Sequence, residues 1–221
     1  MKTCKVTALL LNYKRPKNIN LIIENIKSQS IPINIFLWNN NNEDNKKYPV
    51  DLQINSSLNL MCSPRWLMSG YSESEYFFSL DDDLNFKDSK IIEDCVSYAT
   101  NNNCAIGYQG VLIKKSKKYW NSEHFYPNIN NDINVDIIKG RFIFCSKLQL
   151  RKINFSQYKK ADNYRIEDDI IISSKIDNKI IPNFLHNRFV ELPAPHACCS
   201  HPEHNKSRDE SLVKYYLNKQ K

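Results

Sequence analysis

The sequence predicts an α/β fold with a mixed, mainly parallel central sheet flanked by helices, and three observations carry that reading. Two short apolar runs, Lys5–Leu11 and Ile33–Trp38, flank an amphipathic stretch that opens at Pro16. Strand, helix and strand at this spacing form a βαβ unit, whose strands are parallel. An aromatic and apolar run, Tyr76–Leu80, ends abruptly in Asp81-Asp82-Asp83. A second acidic run, Glu167-Asp168-Asp169, leads directly into Ile170-Ile171-Ile172. Carboxylates cost several kcal/mol each when buried unpaired, so both runs must meet water, cations or basic side chains where the chain leaves the core.

In chain order, KVTALLL reads as a buried strand closed by Asn12-Tyr13-Lys14-Arg15-Pro16. Pro16 suits the first turn of a helix, and Ile19, Leu21, Ile22, Ile23 and Ile26 give it an apolar face. The second strand ends in Asn39-Asn40-Asn41-Asn42. Ile54–Leu60 is expected as a third strand and Pro64–Ser72 as a helix containing Arg65. After the acidic triplet, Asp88 is placed to cap a helix bearing Ile91, Ile92, Cys95 and Val96. Ile106–Ile113 is expected as one strand, followed by a basic cluster at Lys114, Lys115, Lys117 and Lys118. Trp120–Asn134 reads as a long loop. Val135–Phe144 is strand-like around Gly140, a break that suits a bulge or the close approach of a ligand. A helix follows the second acidic run. The segment from Glu191 collects Pro193, Pro195, His196, Cys198, Cys199, His201, His204, Lys206 and Arg208. No internal repeat or linker interrupts the chain, so a single domain over 1–221 is expected.

Composition narrows the function. The chain has 221 residues, 41% hydrophobic and 25% charged, with a formal net charge of +7. That surplus favours a polyanionic partner such as a nucleotide diphosphate, a nucleic acid or an anionic membrane. No apolar stretch approaches the ~20 residues of a membrane span. Met1–Lys5 runs straight into a strand without a leader, and the seven cysteines lack framework spacing. These features lead us to expect reduced thiols and a cytoplasmic protein. The four glycines, none in the first 69 residues, exclude a Walker A loop and a G-x-G-x-x-G fingerprint. The nucleophile elbow and the H-E-x-x-H zinc helix are also missing.

The acidic triplet supplies chemistry. Alternate residues of an extended segment share a face, so Asp81 and Asp83 can converge while Asp82 turns aside. Two hard oxygen ligands with room for phosphate oxygens suit Mg²⁺ or Mn²⁺. A solvated acidic turn is the alternative. At the second run, one carboxylate would serve as a helix cap favoured by the dipole, but three exceed what a cap needs. The spacing of His196, Cys198, Cys199, His201 and His204 matches no usual zinc set.

Taken together, the parallel N-terminal half, the triplet at a strand end and the acidic run at a helix start resemble glycosyltransferases of the GT-A fold, of the family 2 and exostosin-like kinds. Asp81-Asp82-Asp83 is similar to their D-x-D motif, Glu167-Asp168-Asp169 to their E-D motif, and LLLNYKRPKNI to their first strand and loop. The resemblance runs from about Val6 to Arg208, and its motifs are short. The lysine- and asparagine-rich composition also resembles glycosyltransferase domains of large DNA viruses, such as chlorella viruses, that glycosylate capsid protein.

The resemblance implies a nucleotide-binding half over about residues 1–85, and an acceptor-binding half with a C-terminal loop over about 86–221. It implies a nucleotide-sugar donor, with uracil as the base, a glycan or glycoprotein acceptor, and Mn²⁺ or Mg²⁺ held by Asp83 and Asp81. Asp82 is then expected at the ribose or donor sugar, and Asn12, Tyr13, Arg15 and Asn39 in the nucleoside pocket. Ordinary turn chemistry is the alternative for those four. Arg65, Lys206 and Arg208 are candidates for the remaining diphosphate charge, with surface solvation the alternative for each. His196 or His201 is an expected extra contact from a loop closing over the donor, or else structural. Asp136, Lys139 and Arg141 flank Gly140 and are expected near the donor sugar or acceptor. Aligning the E-D motif on Ile172 and Ser173 makes Asp169 the catalytic position beside Asp168; the other register makes it Asp168, with Glu167 last. This carboxylate is a general base in an inverting enzyme and a nucleophile or electrostatic support in a retaining one. The rivals are a sugar-nucleotide nucleotidyltransferase, which carries a glycine-rich loop this chain lacks, a metal-dependent nuclease, and a non-catalytic basic module binding nucleic acid.

Overall fold

The computed structural model describes residues 5–40, 46–126, 128–154, 167–195 and 204–219. Strand β1 (Val6–Asn12) is buried along its whole length, because strands flank it on both sides and helices cover both faces. Helix α1 (Pro16–Lys27) opens on Pro16 and buries Ile19, Ile22, Ile23 and Ile26. Strand β2 (Ile33–Asn39) returns parallel to β1, with Val6 opposite Ile33 and Asn12 opposite Asn39. The expected βαβ unit is thus present. Strand β3 (Leu52–Asn55) extends the sheet beside β2. It corrects the expected Ile54–Leu60 strand: at a half-buried edge the apolar pattern is weak, and a local bond from Ser56 Oγ to Leu58 O marks the turn out of the sheet.

Helix α2 (Pro64–Leu67) runs into a 3₁₀ turn over Met68–Tyr71. Strand β4 (Tyr76–Leu80) lies parallel to β1 on the side opposite β2. Short β5 (Leu84–Phe86) leads to α3 (Ile91–Asn102). Asp88 does not cap α3 as its N-cap residue, which is Lys90; Asp88 instead accepts from Lys90 N and holds Arg188.

Two expected single strands divide. Ile106–Ile113 becomes β6 (Ala105–Gly107) in the large sheet and β7 (Gly110–Leu112) in a small one. The glycines allow the division: a Cβ on Gly107 would lie 2.2 Å from Ile138 Cγ2, and one on Gly110 2.7 Å from Val135 Cγ1. The expected loop holds β8 (Glu123–Phe125) and β9 (Ile133–Asn134). Val135–Phe144 likewise separates into β10 (Ile137–Ile138) and β11 (Phe142–Ser146) across Gly140. Helix α4 (Lys147–Arg151) starts from a capping box between Ser146 and Gln149. Helix α5 (Asp168–Ser173), β12 (Lys179–Ile181), β13 (Phe189–Glu191) and α6 (His204–Ser211), which widens into a π turn over Leu212–Tyr216, complete the described chain.

The large sheet has the order β3-β2-β1-β4-β11-β6-β12-β9. Its first four strands are parallel, β11 is antiparallel to both β4 and β6, and β12 is parallel to β6. One face packs Leu10, Ile22, Phe78, Ile92 and Phe142. The other packs Leu9, Trp66, Phe77, Ile143 and Ile171. Strands β10, β7 and β8 form a small antiparallel sheet, and β5 pairs with β13. The expected mixed, mainly parallel sheet between helices is the observed architecture.

Candidate active site

Because β1, β2 and β4 run parallel, Asn12, Asn39 and the acidic triplet emerge on the same edge of the sheet. Asn12 Nδ2 donates to Asn39 Oδ1 at 2.9 Å, and Asn12 Oδ1 accepts from Arg15 N at 3.2 Å. This folds the loop after β1 back over the strand ends, with Lys14 in a left-handed conformation (φ 59°). The folded loop delivers Tyr13 N to Asp82 Oδ2 at 2.9 Å, and Arg15 to Asp82 and, at 3.2 Å, to Asp83 Oδ2. Asn18 Nδ2 joins the backbone carbonyls of Asp82 and Pro193, each at 2.8 Å. The triplet is not extended as expected: Asp82 and Asp83 lie in a turn closed by Leu84 N donating to Asp81 O at 3.2 Å, so Arg15 joins Asp82 to Asp83 while Asp81 turns to Arg65.

Arg65, carried by α2, joins the two acidic runs. Its Nη1 lies 2.7 Å from Asp81 Oδ1; its Nε and Nη2 lie 3.3 and 3.2 Å from Asp168 Oδ2, and Nη2 also donates to Gly140 O at 3.2 Å. The indole of Trp66 adds a bond from Nε1 to the same Asp168 oxygen at 2.7 Å. Asp168 spends one oxygen on these donors, and among the described residues its Oδ1 accepts no hydrogen bond. Asp169 is engaged on both sides: Oδ1 accepts from Ile170 N at 2.9 Å, and Oδ2 from Arg208 Nη2 at 2.6 Å and Gly140 N at 3.1 Å. Arg208 also reaches Glu167 Oε2 at 2.7 Å and lies 4.0 Å above the Tyr119 ring. Arg141 bridges Asp83 Oδ1 at 3.0 Å and Glu191.

Among the described residues, four guanidiniums thus face seven carboxylates, a deficit of three positive charges. Burial raises the carboxyl pKa of Asp82 to about 6 against the pull of Arg15, and that of Glu167 to about 7 against Arg208. Asp81 is raised by desolvation too, with Asp83 and Asp168 adding repulsion, although 30% of its side chain meets solvent. Burial alone would lower Arg65, but Asp168 and Asp81 outweigh it and hold the guanidinium charged. Burial and the neighbouring Arg208 bring the Lys139 amine down to about 8.

A divalent cation fits this electronegative edge. Asp81 keeps one oxygen outside its arginine pair, while Asp83 carries a guanidinium on each oxygen, so a cation held there would have to displace Arg15 or Arg141. Among the described residues no group of three or more His, Cys, Asp and Glu encloses a metal position. The chain therefore offers one or two hard oxygens, the number Mg²⁺ or Mn²⁺ uses when substrate phosphates complete its coordination.

Of the sequence-derived residues, Asn12, Tyr13, Arg15, Asn39, Arg65, Asp81, Asp82, Asp83, Asp168, Asp169 and Arg208 converge here. Arg65 and Arg208 arrive with their charge already met by carboxylates. Lys206 points to solvent and pairs with Glu210 at 3.8 Å. His196 and His201 lie outside the described residues. Trp66, Asn18 and Glu191 escaped the sequence reading; their partners lie 102, 64 and 50 residues away, with no local signal.

No protein-family model and no curated protein matches the chain. Solved structures do. A mannosyltransferase from Pyrobaculum calidifontis, PcManGT, in complex with GDP-Man and Mn²⁺, aligns with a TM-score of 0.54 at 12% identity, over 82% of this chain and 55% of that one. S. aureus TarS 1–349 in complex with UDP-GlcNAc aligns with a TM-score of 0.59 at 10% identity, over 87% and 60%. A second crystal structure of S. aureus TarS 1–349 aligns with a TM-score of 0.57 at 11% identity, over 85% and 60%. The chain spans a little over half the length of these structures. What they share with it is the fold: a mixed α/β sheet flanked by helices, of a kind that holds sugar nucleotides in the two ligand-bound examples.

Proposed function

We propose that this chain is a glycosyltransferase that moves a sugar from a nucleotide-sugar donor, a UDP-sugar, to a glycan or glycoprotein hydroxyl. One observation carries the reading: Arg65 draws Asp81, at the end of a parallel strand, and Asp168, at the start of a helix, onto a single guanidinium. That places one acidic run where open α/β sheets bind ligands and the second beside it. The likeness in fold to structures holding GDP-Man or UDP-GlcNAc supports the substrate class, and the PcManGT complex supports the metal.

The nucleoside would lie against the loop Asn12–Arg15 and Asn39. Asp81 and Asp83 would hold Mn²⁺ or Mg²⁺, which as a Lewis acid offsets the charge that develops on a departing nucleoside diphosphate. Asp82, pinned by Arg15 and Tyr13 N, keeps the loop and the strand end in register. Of the two candidate carboxylates we assign the reacting position to Asp168, reversing the order expected from the motif register. Its Oδ1 is the oxygen with no described donor, whereas both oxygens of Asp169 are occupied. In an inverting reaction Asp168 Oδ1 takes the proton of the acceptor hydroxyl; Asp169 and Arg208 fix the start of α5. Glycosylation of a viral capsid protein and a cytoplasmic setting belong to this proposal as well. Among the described residues no helix is long and apolar enough to cross a membrane.

Isothermal titration of UDP, GDP and UDP-sugars with and without Mn²⁺ tests the donor site. Metal-dependent UDP binding should weaken at least ~10-fold in Asp81→Ala and Asp83→Ala, as loss of metal-site groups does. Nucleotide binding indifferent to metal and to both substitutions would sink the assignment.

A further inference from the structure

Beside the acidic centre, the small sheet carries aromatic rings that the reaction chemistry leaves unused. Trp120 is 43% exposed and Tyr126 55% exposed, although both are large apolar side chains. Trp120 stacks nearly parallel on His124, with centroids 5.4 Å apart and planes 12° from parallel. His124 lies on β8, its Nε2 bonded to Tyr119 O at 3.1 Å, which fixes the ring. Tyr126 follows two residues on and is capped by the Lys139 ammonium at 4.2 Å from its ring centre. The row is joined to the reacting centre by short steps. Trp120 packs edge-on against Tyr119 at 5.1 Å, Arg208 lies over the other ring, and Arg208 holds Asp169. Lys139 itself precedes Gly140, whose backbone touches both Asp169 and Arg65.

From this arrangement we infer that Trp120, His124 and Tyr126, with Lys139, form a stacking platform for a neutral oligosaccharide, the acceptor of the transfer. The inference rests on the transferase reading and deepens it. Pyranose rings present C–H faces that pack on aromatic rings and hydroxyls that accept from an ammonium. Flat, rigid side chains supply such contact area at low entropic cost. Charge selects the occupant. Burial, then Lys139, lowers the His124 pKa, which favours the neutral ring. Among the described residues the adjoining centre carries more carboxylates than guanidiniums even with Glu167 and Asp169 paired to Arg208, and Lys114 beside the platform is paired with Glu123; this net negative edge disfavours a phosphate backbone, which a nucleic-acid platform would have to attract.

Saturation-transfer NMR with chitohexaose, maltohexaose and mannohexaose, and with oligo-dT as the polyanion, tests the platform on the full chain, alongside UDP–Mn²⁺ titration. At least one hexasaccharide should bind. Its affinity should fall about five- to tenfold in Trp120→Ala, the worth of one ring contact, and remain mostly intact in Trp120→Phe, with the UDP–Mn²⁺ isotherm unchanged. Three results overturn the inference: no hexasaccharide binds, binding ignores both Trp120→Ala and Tyr126→Ala, or only oligo-dT binds. If UDP binds while every hexasaccharide fails, the platform falls and the donor site stands. Trp120-dependent hexasaccharide binding without any nucleotide binding leaves a carbohydrate-binding surface and removes the transferase.

Discussion

Each carboxylate in the acidic centre has a partner that sets what its removal does. Replacing Arg208, which is buried, by Met leaves Glu167 and Asp169 without their guanidinium. Breaking a buried pair from one side costs about 3–5 kcal/mol, so urea unfolding of Arg208→Met should show a loss of that size. Asp168→Asn is milder structurally, since an amide oxygen still accepts from Trp66 Nε1, but it removes the proposed base. Turnover should drop ~10²–10⁴-fold with UDP–Mn²⁺ affinity unchanged, and Asp169→Asn should lose less. If Asp169→Asn is the more damaging, the two carboxylates exchange roles. Glu167 gives a pH signature. Its folded pKa, about 7, lies above the ordinary glutamate value because of burial. Between the two values the folded chain holds a proton the unfolded chain has released. This contribution to stability is complete below the unfolded pKa and is lost as pH rises through about 7. Unfolding free energies across that range should flatten in Glu167→Gln. Residue identity made the acids legible in the sequence, as it did Arg15, Arg65 and Arg208. Their mutual pairing was not legible, because an arginine is the same letter whether it meets a phosphate or a carboxylate 103 positions away.

At the level of elements, legibility followed burial. Strands β1, β2 and β4 and helix α1 were readable because each carries an unbroken apolar run or face and an abrupt polar end. Edge strand β3 was misplaced because half-buried positions tolerate Gln and Asn. The joint β6–β7 was read as one continuous strand, and β10–β11 as one strand with a break at Gly140, because apolar pattern records burial and is silent about direction. Glycine was the signal at both: Gly107 and Gly110 at the first, Gly140 at the second. Gly107 lets Ile138 of β10 lie against β6, so Gly107→Ala should force an overlap and destabilise by about 1–3 kcal/mol, as overpacking does. Thermal unfolding checks the loss, and Ile138→Ala in the same chain should recover part of it. Unchanged stability in Gly107→Ala would show that the two sheets are not so closely fitted.

For the molecule as a whole, the sheet order decides how the two halves depend on each other. Strands β3, β2, β1 and β4 come from the first half, and β11, β6, β12 and β9 from the second, with contact along β4 and β11. A fragment spanning residues 1–86 would present β4 with one edge unpaired and Phe77 and Phe78 stripped of cover. We expect that fragment to remain unfolded or to aggregate, and the full chain to unfold in one transition monitored by both circular dichroism and tryptophan fluorescence. A separately melting N-terminal fragment would make the halves independent. The expectation of one domain rests on the missing linker, and the unfolding experiment is its test.

The place of β11 also bears on how the chain is made. The partner for β4 lies 62 residues further along, at Phe142 opposite Leu80. A ribosome adding roughly 5–20 residues per second needs about 3–12 s to cover that interval. For that time the nascent N-terminal half carries the Tyr76–Leu80 ribbon with one side open, its backbone donors and acceptors available to any other extended chain. Slower translation lengthens this exposure, and a holding chaperone shields it.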